Sequence, residues 1–476
     1  MRRFVLSTCF LITLIAPVYA ADQRLANPRT MKFPDLNYQI PNAERVVLEC
    51  GMPVYLLRDT ELPIINMTAM VRTGSVYEPA EKSGLSNMVG TVMRSGGAGG
   101  VATETMDDEL EFMASSVESG VGSDMGTISL TALKKNFNRT LQIFSDVLLR
   151  PDFNEKRIEI ARRQTIEALR RQNDDPKEIA GREINRVIYA GHPLGDITTF
   201  KSISSITRQD LVEFHRQFYR LDNMILAVSG DFDRTALLKE LNLIFKPVMN
   251  HTALTLPTVP QPKQLFQGEV IYGKKEINQT VIRMGHLGLS KDSPDIYAVR
   301  LLGYILGGSF TSRLTMEIRT NQGLAYSVGS HFDIGRRFTG SFIAETETKA
   351  ESTTKAISLM KKIITDMTIE PVSDGELNAA REYIINSFMF GFTSPASIVT
   401  QRARLEYYGY PDGYLERYRD NIAKVTKTDI LNAARKYLHP DAFKLIVIGD
   451  AAKFNQPLAT LGKVRELDLK LNIPKP

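Results

Sequence analysis

Ile206–Asp231 reads ITRQDLVEFHRQFYRLDNMILAVSGD, and Val425–Asp450 reads VTKTDILNAARKYLHPDAFKLIVIGD. The two segments align without a gap, so that Thr207 corresponds to Thr426, and both end in Gly-Asp. Each of these threonines can cap a helix. Apolar residues at helical spacing follow, and then a β-branched run. Each copy is therefore predicted to form a helix followed by a strand.

The repeat also predicts the domain organisation. The period from Thr207 to Thr426 is too long for a solenoid and indicates two homologous domains. Between the copies, His251–Leu265 contains three prolines, which disfavour regular structure and stiffen a linker. Strands and helices are mixed without a strict β-α-β rhythm, so the predicted fold class is α+β, with two homologous, sandwich-like mixed α/β domains. The predicted boundaries are 36–250 for the first domain, 251–265 for the linker and 266–476 for the second domain.

Hydrophobic periodicity and turn residues predict the elements of the first half. They are a hairpin at Val46–Arg58 with its turn at residues 51–53, a strand at Ile64–Val71, and helices at Gly84–Met93, Asp107–Ser115, Asn136–Leu149 and Glu155–Arg171.

The first twenty residues have the pattern of a secretory signal peptide. Arg2 and Arg3 precede the apolar stretch Phe4–Ala16, and Val18-Tyr19-Ala20 resembles a cleavage site. The apolar stretch is short for a membrane span, although an uncleaved anchor stays open as an alternative. The sequence therefore predicts export to a bacterial periplasm.

Composition excludes several classes of protein. Without the first twenty residues the chain has 57 basic and 54 acidic residues, a net charge near +3, which does not indicate a nucleic acid partner. No later segment is apolar enough to predict a membrane span. Only Cys50 remains, so the sequence predicts neither an internal disulfide nor a cysteine-based metal site.

The order of the first-half elements carries a resemblance to a known family. A hairpin, a strand, the segment GLSNMVGTVMRSGG and a long helix followed by NDDP resemble the first domain of the insulinase-like (pitrilysin-type) metallopeptidases. The resemblance covers nearly the whole chain after the signal peptide. It implies the fold of that family and, in active members, a zinc site whose motif is His-x-x-Glu-His on one helix. The two histidines bind zinc, and the glutamate acts as general base for a metal-bound water.

This chain departs from the family at the zinc site. The positions of the motif are occupied by Asn87, Gly90 and Thr91, so both imidazoles and the general base are missing. Glu167 follows Thr91 at a distance along the chain that matches the spacing of the third zinc ligand in the family. One carboxylate cannot hold a catalytic zinc, and Glu167 is also compatible with an ordinary solvated helix residue. The chain is therefore predicted to bind no metal cofactor of its own.

The histidines do not suggest a replacement site. No two of them lie within five residues of each other in the sequence; they are His192, His215, His251, His286, His331 and His439. A site assembled from distant histidines stays open. The loop SGGAGG at residues 95–100 lacks the spacing of a phosphate-binding fingerprint. Two interpretations of this loop remain: flexible backbone, or backbone that faces a peptide channel.

The second half retains a family signature. Gly307–Val328 reads GGSFTSRLTMEIRTNQGLAYSV, and it resembles the segment in which an arginine and a tyrosine seven residues apart reach the zinc site. Arg319 and Tyr326 match that spacing. Gly323 disfavours one continuous helix, which predicts Arg319 near a helix end and Tyr326 at the start of a strand, Ala325–Val328. The resemblance implies that the pair binds substrate and stabilises the charged tetrahedral oxygen. A surface ion pair of Arg319 and core packing of Tyr326 is the alternative.

Three functional hypotheses follow. In the first, the chain is the non-catalytic subunit of a periplasmic peptidase and supplies Arg319 and Tyr326 to a homologous partner that carries His-x-x-Glu-His and zinc. The substrate would be an unfolded peptide. In the second, the chain is a stand-alone peptidase with a rearranged metal site. In the third, it is a peptide-binding or scaffold protein without a proteolytic partner.

Overall fold

The computed structural model describes residue 31 and residues 38–245 and 255–470. The predicted signal peptide and His251 lie outside the described residues. No helix in the described ranges has the length and apolar character needed to cross a membrane. Residues 255–265 of the predicted linker contain neither helix nor strand.

The strands form two sheets, one in each half of the chain. They are β1 Glu44–Val47, β2 Pro53–Arg58, β3 Ile64–Val71, β4 Ser116–Val121, β5 Gly126–Leu133, β6 Met224–Gly230, β7 Glu269–Lys274, β8 Gln279–Leu287, β9 Ala325–Phe332, β10 Ser341–Lys349, β11 Lys444–Gly449 and β12 Val464–Glu466. The first sheet has the order β1-β2-β6-β3-β5-β4, and the second has the order β12-β7-β11-β8-β10-β9.

The two sheets share one topology. β2 to β6 of the first sheet correspond in order to β7 to β11 of the second. In the first sheet β6 pairs in parallel with β2 and antiparallel with β3. In the second sheet β11 pairs in parallel with β7 and antiparallel with β8, in the same way. The prediction of two homologous α+β halves is therefore confirmed by the strand order. Only the outer strands, β1 and β12, differ between the sheets.

Helices cover the faces of both sheets. They are α1 Leu85–Ser95, α2 Thr103–Phe112, α3 Phe137–Leu149, α4 Glu155–Arg171, α5 Pro176–Ile188, α6 Phe200–Ser205, α7 Arg208–Phe218, α8 Arg234–Phe245, α9 Ile296–Leu306, α10 Thr353–Ile369, α11 Asp374–Ser387, α12 Pro395–Tyr407, α13 Tyr414–Lys424 and α14 Lys427–Tyr437. The second half also contains a π-helix at Thr315–Asn321.

The repeated sequence forms the predicted helix and strand in both halves, as α7 with β6 and α14 with β11. Each helix begins with a reciprocal capping box. The backbone N–H of Thr207 donates to Asp210 at 2.7 Å, and that of Thr426 donates to Asp429 at 2.8 Å. These bonds satisfy backbone donors that a helix start would otherwise leave without partners.

The two halves exchange helices. The helix α5 of the first half packs on β8 and β11 of the second sheet, and α12 of the second half packs on β2, β3 and β6 of the first. Both helices have proline as their first residue, and Pro176 and Pro395 correspond to each other in the register that aligns Thr207 with Thr426. The exchange therefore belongs to the internal repeat. We refer to α5 and α12 as the exchanged helices.

The exchanged helices explain why the central strands are apolar throughout. Ile184 of α5 packs with Ile446 and Ile448 of β11 in a buried cluster. Ala403 of α12 packs with Ile225 of β6 in its counterpart. Helices of the same half cover the opposite face of each sheet. Strands covered on both faces are expected to be continuous apolar runs, and every residue of β6 is buried.

Hydrogen bonds join each exchanged helix to the tip of the other half's sheet. The hydroxyl of Tyr408 donates to Asp124 in the β4–β5 loop at 3.0 Å. Tyr189, at the equivalent position after α5, donates to the carbonyl of Thr339 in the β9–β10 loop at 3.3 Å. Tyr407 donates to the carbonyl of Asp124 at 2.6 Å. Each tip is therefore fixed by a helix from the opposite half.

The element predictions of the first half hold with one clear error. The strand Ile64–Val71 and the helix Glu155–Arg171 have the predicted bounds. The helix predicted at Asp107–Ser115 is wrong in position, because α2 spans Thr103–Phe112. Its buried residues begin at Thr103, and the positive φ of 48° at Ala114 stops the helix before Ser115.

Candidate functional site

The helix α1 holds the positions at which active family members have their zinc motif. Asn87 and Thr91 are exposed on this helix, whereas Gly90 is buried against β4. A Cβ atom on Gly90 would lie 2.8 Å from the backbone nitrogen of Val121 and 3.1 Å from the carbonyl carbon of Gly120. Backbone atoms of a paired strand cannot shift easily. The position of the general base therefore has no room for a glutamate side chain.

A hydrogen bond fixes this close contact between helix and strand. The hydroxyl of Ser119 in β4 donates to the carbonyl of Gly90 at 2.5 Å. The chain therefore lacks the three functional groups of the zinc motif, and in addition the packing of α1 on β4 requires a glycine at residue 90.

Glu167, the position of the third ligand, lies on α4. This helix packs against α1, so the scaffold of the family site is present. The side chain of Glu167 is 54% exposed and forms an ion pair with Arg170 one helical turn away. Its carboxylate is engaged on the helix surface.

Within residues 31, 38–245 and 255–470, no group of three or more His, Cys, Asp or Glu side chains is arranged to hold a metal ion. Histidines of the interior bond to the backbone instead. The ring of His192 accepts from the N–H of Leu194 at 3.1 Å and contacts the carbonyl of Pro260 at 2.9 Å. The ring of His215 lies 2.9 Å from the carbonyl of Leu148.

His286 is occupied in the same way. Its Nδ1 lies 2.8 Å from the carbonyl of Leu287, and its Nε2 accepts from the N–H of His439 at 3.1 Å. Burial lowers the pKa of both His286 and His215 to about 4, and it also lowers that of His439. His331 is exposed on β9. The backbone contacts of His192, His215 and His286 therefore have a structural role.

The glycine-rich loop at residues 95–100 is hydrogen-bonded to its surroundings. The carbonyl of Gly97 accepts from Asp152, and the N–H of Gly99 donates to the carbonyl of Arg150, both at 2.9 Å. Positive φ angles at Gly97, Gly99 and Gly100 explain the choice of glycine. These bonds tie the loop to neighbouring backbone, which disfavours the interpretation as flexible backbone, while Gly99 and Gly100 are exposed.

The structure brings Arg319 and Tyr326 together. The guanidinium carbon of Arg319 lies 4.9 Å from the ring centroid of Tyr326 and 5.7 Å from that of Phe310. Tyr326 is 82% exposed and Phe310 is 80% exposed. The cation is therefore held between two aromatic rings at the surface. We call Phe310, Arg319 and Tyr326 the arginine–aromatic cluster.

Two backbone irregularities form this cluster. Arg319 lies in the π-helix Thr315–Asn321. In the β9–β10 pairing Ala325 faces Thr348 and Ser327 faces Glu347, so Tyr326 is the extra residue of a β-bulge. Bulges redirect side chains, and π-helices and bulges are both common near functional sites.

The charge of Arg319 is not neutralised inside the described chain. No ion pair or hydrogen bond joins its side chain to another described residue. Glu317, in the same π-helix, accepts from the side-chain amides of Asn321 at 2.8 Å and Gln322 at 3.0 Å. The described contacts of the Arg319 guanidinium are with two exposed aromatic rings and not with a carboxylate. The cluster can therefore offer donors to an external acceptor.

The sequence predicted the pair but not the third member or the bulge. Phe310 stands in the quoted signature, and its place over the guanidinium depends on the loop before the π-helix. The one available signal was a large aromatic residue in a glycine- and serine-rich segment, GGSFTS.

Comparison with known proteins gives two family models. The model described as Insulinase (Peptidase family M16) matches residues 54–200, and the one described as Peptidase M16 inactive domain matches residues 205–384. Together they match most of the first half and the first part of the second half.

Individual relatives agree with the family models. A Helicobacter pylori protein named "Non-peptidase homolog YmxG" is 24% identical over 453 residues, which cover 93% of this chain and 99% of the relative. The crystal structure of a peptidase M16 inactive domain from Pseudomonas fluorescens has a TM-score of 0.78 at 24% identity, covering 86% of this chain and 98% of that one. The periplasmic protease PqqL from Escherichia coli has a TM-score of 0.73 at 16% identity, over 90% of this chain and 49% of PqqL.

The two family models, the non-peptidase relative and the shared two-sheet fold agree with the resemblance noted in the sequence. This chain therefore belongs to the insulinase family of peptidases, family M16.

Proposed function

We propose that this chain is the non-catalytic subunit of a periplasmic two-chain metallopeptidase and supplies Arg319 and Tyr326 to the active site of a zinc-bearing homologue. The observation that carries the proposal is the arginine–aromatic cluster. It presents an unneutralised guanidinium and a phenol at the surface of a chain whose own general-base position, Gly90, is closed.

The chemistry assigned to the cluster is binding and charge stabilisation. The guanidinium of Arg319 carries a fixed charge and a planar set of donors, and the hydroxyl of Tyr326 adds one donor. In the partner, zinc would supply the activated water. Donors directed at the oxygen that becomes negative in acyl transfer are each worth about 100-fold to 1000-fold in rate. Because the guanidinium already contacts the rings of Phe310 and Tyr326, little ordering would be needed on binding.

The closed position of Gly90 supports the division of labour between two chains. A glutamate there would collide with the backbone of β4, so the chain cannot regain a general base by a simple substitution. The name of the Helicobacter pylori relative, a non-peptidase homologue, agrees with this proposal.

The stand-alone peptidase is less well supported. Such an enzyme would need free metal ligands, and the rings of His192, His215 and His286 are bonded to the backbone. The scaffold hypothesis does not account for a partly exposed arginine that contacts two exposed aromatic rings.

Purification of the mature chain from its native periplasm under mild conditions tests the proposal. We expect a homologue with His-x-x-Glu-His to co-elute in stoichiometric amount, together with peptidase activity that a zinc chelator removes. Recovery of this chain alone and inert from the native compartment would contradict the proposal.

A further inference from the structure

A cavity of about 260 Å³ lies between α9, α13, the exchanged helix α12 and the β9–β10 loop. Three arginines line it: Arg300 of α9, Arg336 of the β9–β10 loop and Arg404 of α12. Phe388 and Phe392 form its apolar side. The cavity therefore combines three cations with an aromatic wall, and it is separate from the arginine–aromatic cluster.

These arginines lack the acidic partners that their neighbours have. Arg337 lies 3.8 Å from Asp124, and Arg402 pairs with Glu416 at 2.6 Å. By contrast, no ion pair joins Arg300, Arg336 or Arg404 to a carboxylate in the described part of the chain, and the described lining contains no Asp or Glu. The buried Nε atoms of Arg300 and Arg404 also have no hydrogen-bond acceptor there.

The tyrosines of the cavity wall do not neutralise this charge. Burial raises the pKa of Tyr410 and Tyr414 above the usual value for tyrosine, and it raises that of Tyr408 to about 12. Their hydroxyls are neutral at physiological pH and can donate hydrogen bonds.

Aromatic rings hold two of the guanidinium groups in place. Arg300 lies 5.6 Å from the ring centroid of Tyr418, and Arg336 lies 5.5 Å from that of Tyr408. An adjoining cavity, which shares Arg336 and Tyr408, contains the carboxylates of Asp124 and Asp333. One of them, Asp124, is already engaged by the hydroxyl of Tyr408.

Three guanidinium groups around one small cavity repel each other unless an anion lies between them. Arginine is also the side chain whose planar donors best match carboxylate and phosphate oxygens. We propose that this cavity binds a small organic oxyanion, a phosphate ester or a carboxylate, whose apolar body packs against Phe388 and Phe392.

Such a ligand would join parts of the chain that are distant in sequence. Arg404 belongs to the exchanged helix α12, which covers the first sheet, whereas Arg300 and Arg336 belong to the body of the second half. Binding to the folded state alone raises the unfolding temperature. The ligand is thus expected to stabilise the packing of the exchanged helix α12.

Titration of the full mature chain with phenyl phosphate and, separately, with phenylacetate tests the proposal. The unfolding temperature is followed at constant ionic strength, with sodium chloride as the balancing salt. We expect a saturable rise with at least one probe, and the tighter probe identifies the oxyanion. Inorganic phosphate should bind more weakly than phenyl phosphate, because it lacks the apolar body.

The variants Arg336→Met and Arg404→Met should each weaken binding at least tenfold, while Arg216→Met, which removes an exposed arginine of α7 outside the cavity lining, should not. Arg336 is exposed, so its variant is expected to fold, and circular dichroism checks this. The absence of a saturable rise with either organic probe would overturn the proposal, and so would equal affinity in the Arg336→Met variant and the wild type.

Discussion

The guanidinium carbon of Arg319 lies 4.9 Å from the ring centroid of Tyr326, although one residue belongs to a π-helix and the other to a β-bulge. Neither irregularity is needed to build the second sheet. Their combined effect is to hold a cation and a phenol side by side at the surface, where they are available to a second chain.

The first prediction is that removing the cluster leaves the fold unchanged. The double variant Arg319→Ala and Tyr326→Phe should alter the free energy of unfolding by less than about 0.5 kcal/mol, because Tyr326 is exposed and Arg319 has no acidic partner in the described chain. Urea denaturation measures this. A loss above about 2 kcal/mol, which is large for a surface substitution, would assign the pair a structural role instead.

The second prediction concerns the closed position of the general base, Gly90. Gly90→Glu should destabilise the chain by at least about 2 kcal/mol, because its side chain would meet the backbone of β4. Asn87→His with Thr91→His should be nearly neutral, since both positions are exposed.

Gly120→Ala is the matched control, because a Cβ atom on Gly120 meets nothing within 4 Å. Urea denaturation gives the stabilities, and elemental analysis gives the zinc content. Wild-type stability and stoichiometric zinc in the triple variant at residues 87, 90 and 91 would contradict a closed site.

The third prediction concerns the exchanged helices. Ile184→Ala should cost about 2–5 kcal/mol, because Ile184 is buried between α5 and β11. Ile197→Ala, at a position that is 37% exposed, is the control. Since each half covers the sheet of the other, unfolding should remain one transition. Two separate transitions, of which only one moves, would show that the halves are independent.

The fourth prediction is a loss of stability in acid. The pKa of His286 is lowered to about 4 by burial, while an unfolded histidine titrates near 6.5. Between these values the unfolded chain binds a proton that the folded chain does not. Stability is therefore complete above pH 6.5 and falls as the pH drops towards 4.

The variant His286→Gln isolates this effect, since glutamine retains an acceptor for the N–H of His439. The slope of the unfolding free energy between pH 5 and 6 should decrease by up to about 1.4 kcal/mol per pH unit, which corresponds to one proton. An unaltered slope in the His286 variant would contradict the assignment.

Local patterns predicted most of the fold, and contacts distant in sequence account for the rest. The helix starts at Thr207 and Thr426 could be predicted from the sequence, because a capping box involves only four consecutive residues. The exchange of α5 and α12 could not be predicted from local sequence, because the apolar face of a helix does not indicate which sheet it covers. The predicted position of α2 was wrong because the apolar spacing continues to Ser115, whereas the positive φ of Ala114 ends the helix earlier.

The candidate site shows the same division. Asn87, Gly90 and Thr91 could be located from the family motif, but the steric closure at Gly90 depends on the register of β4 against α1. Arg319 and Tyr326 could be located by their spacing. Their contact depends on a β-bulge at Tyr326, which the local sequence pattern does not indicate.

The most direct test of the proposed function is the peptidase activity of the complex with the zinc-bearing homologue, measured as kcat/KM with wild-type chain and with Arg319→Ala at saturating subunit. We expect a fall of about 100-fold or more with the complex intact. Arg216→Ala, an exposed arginine on α7, should have no effect. Undiminished activity in an intact Arg319→Ala complex would contradict the role assigned to this chain.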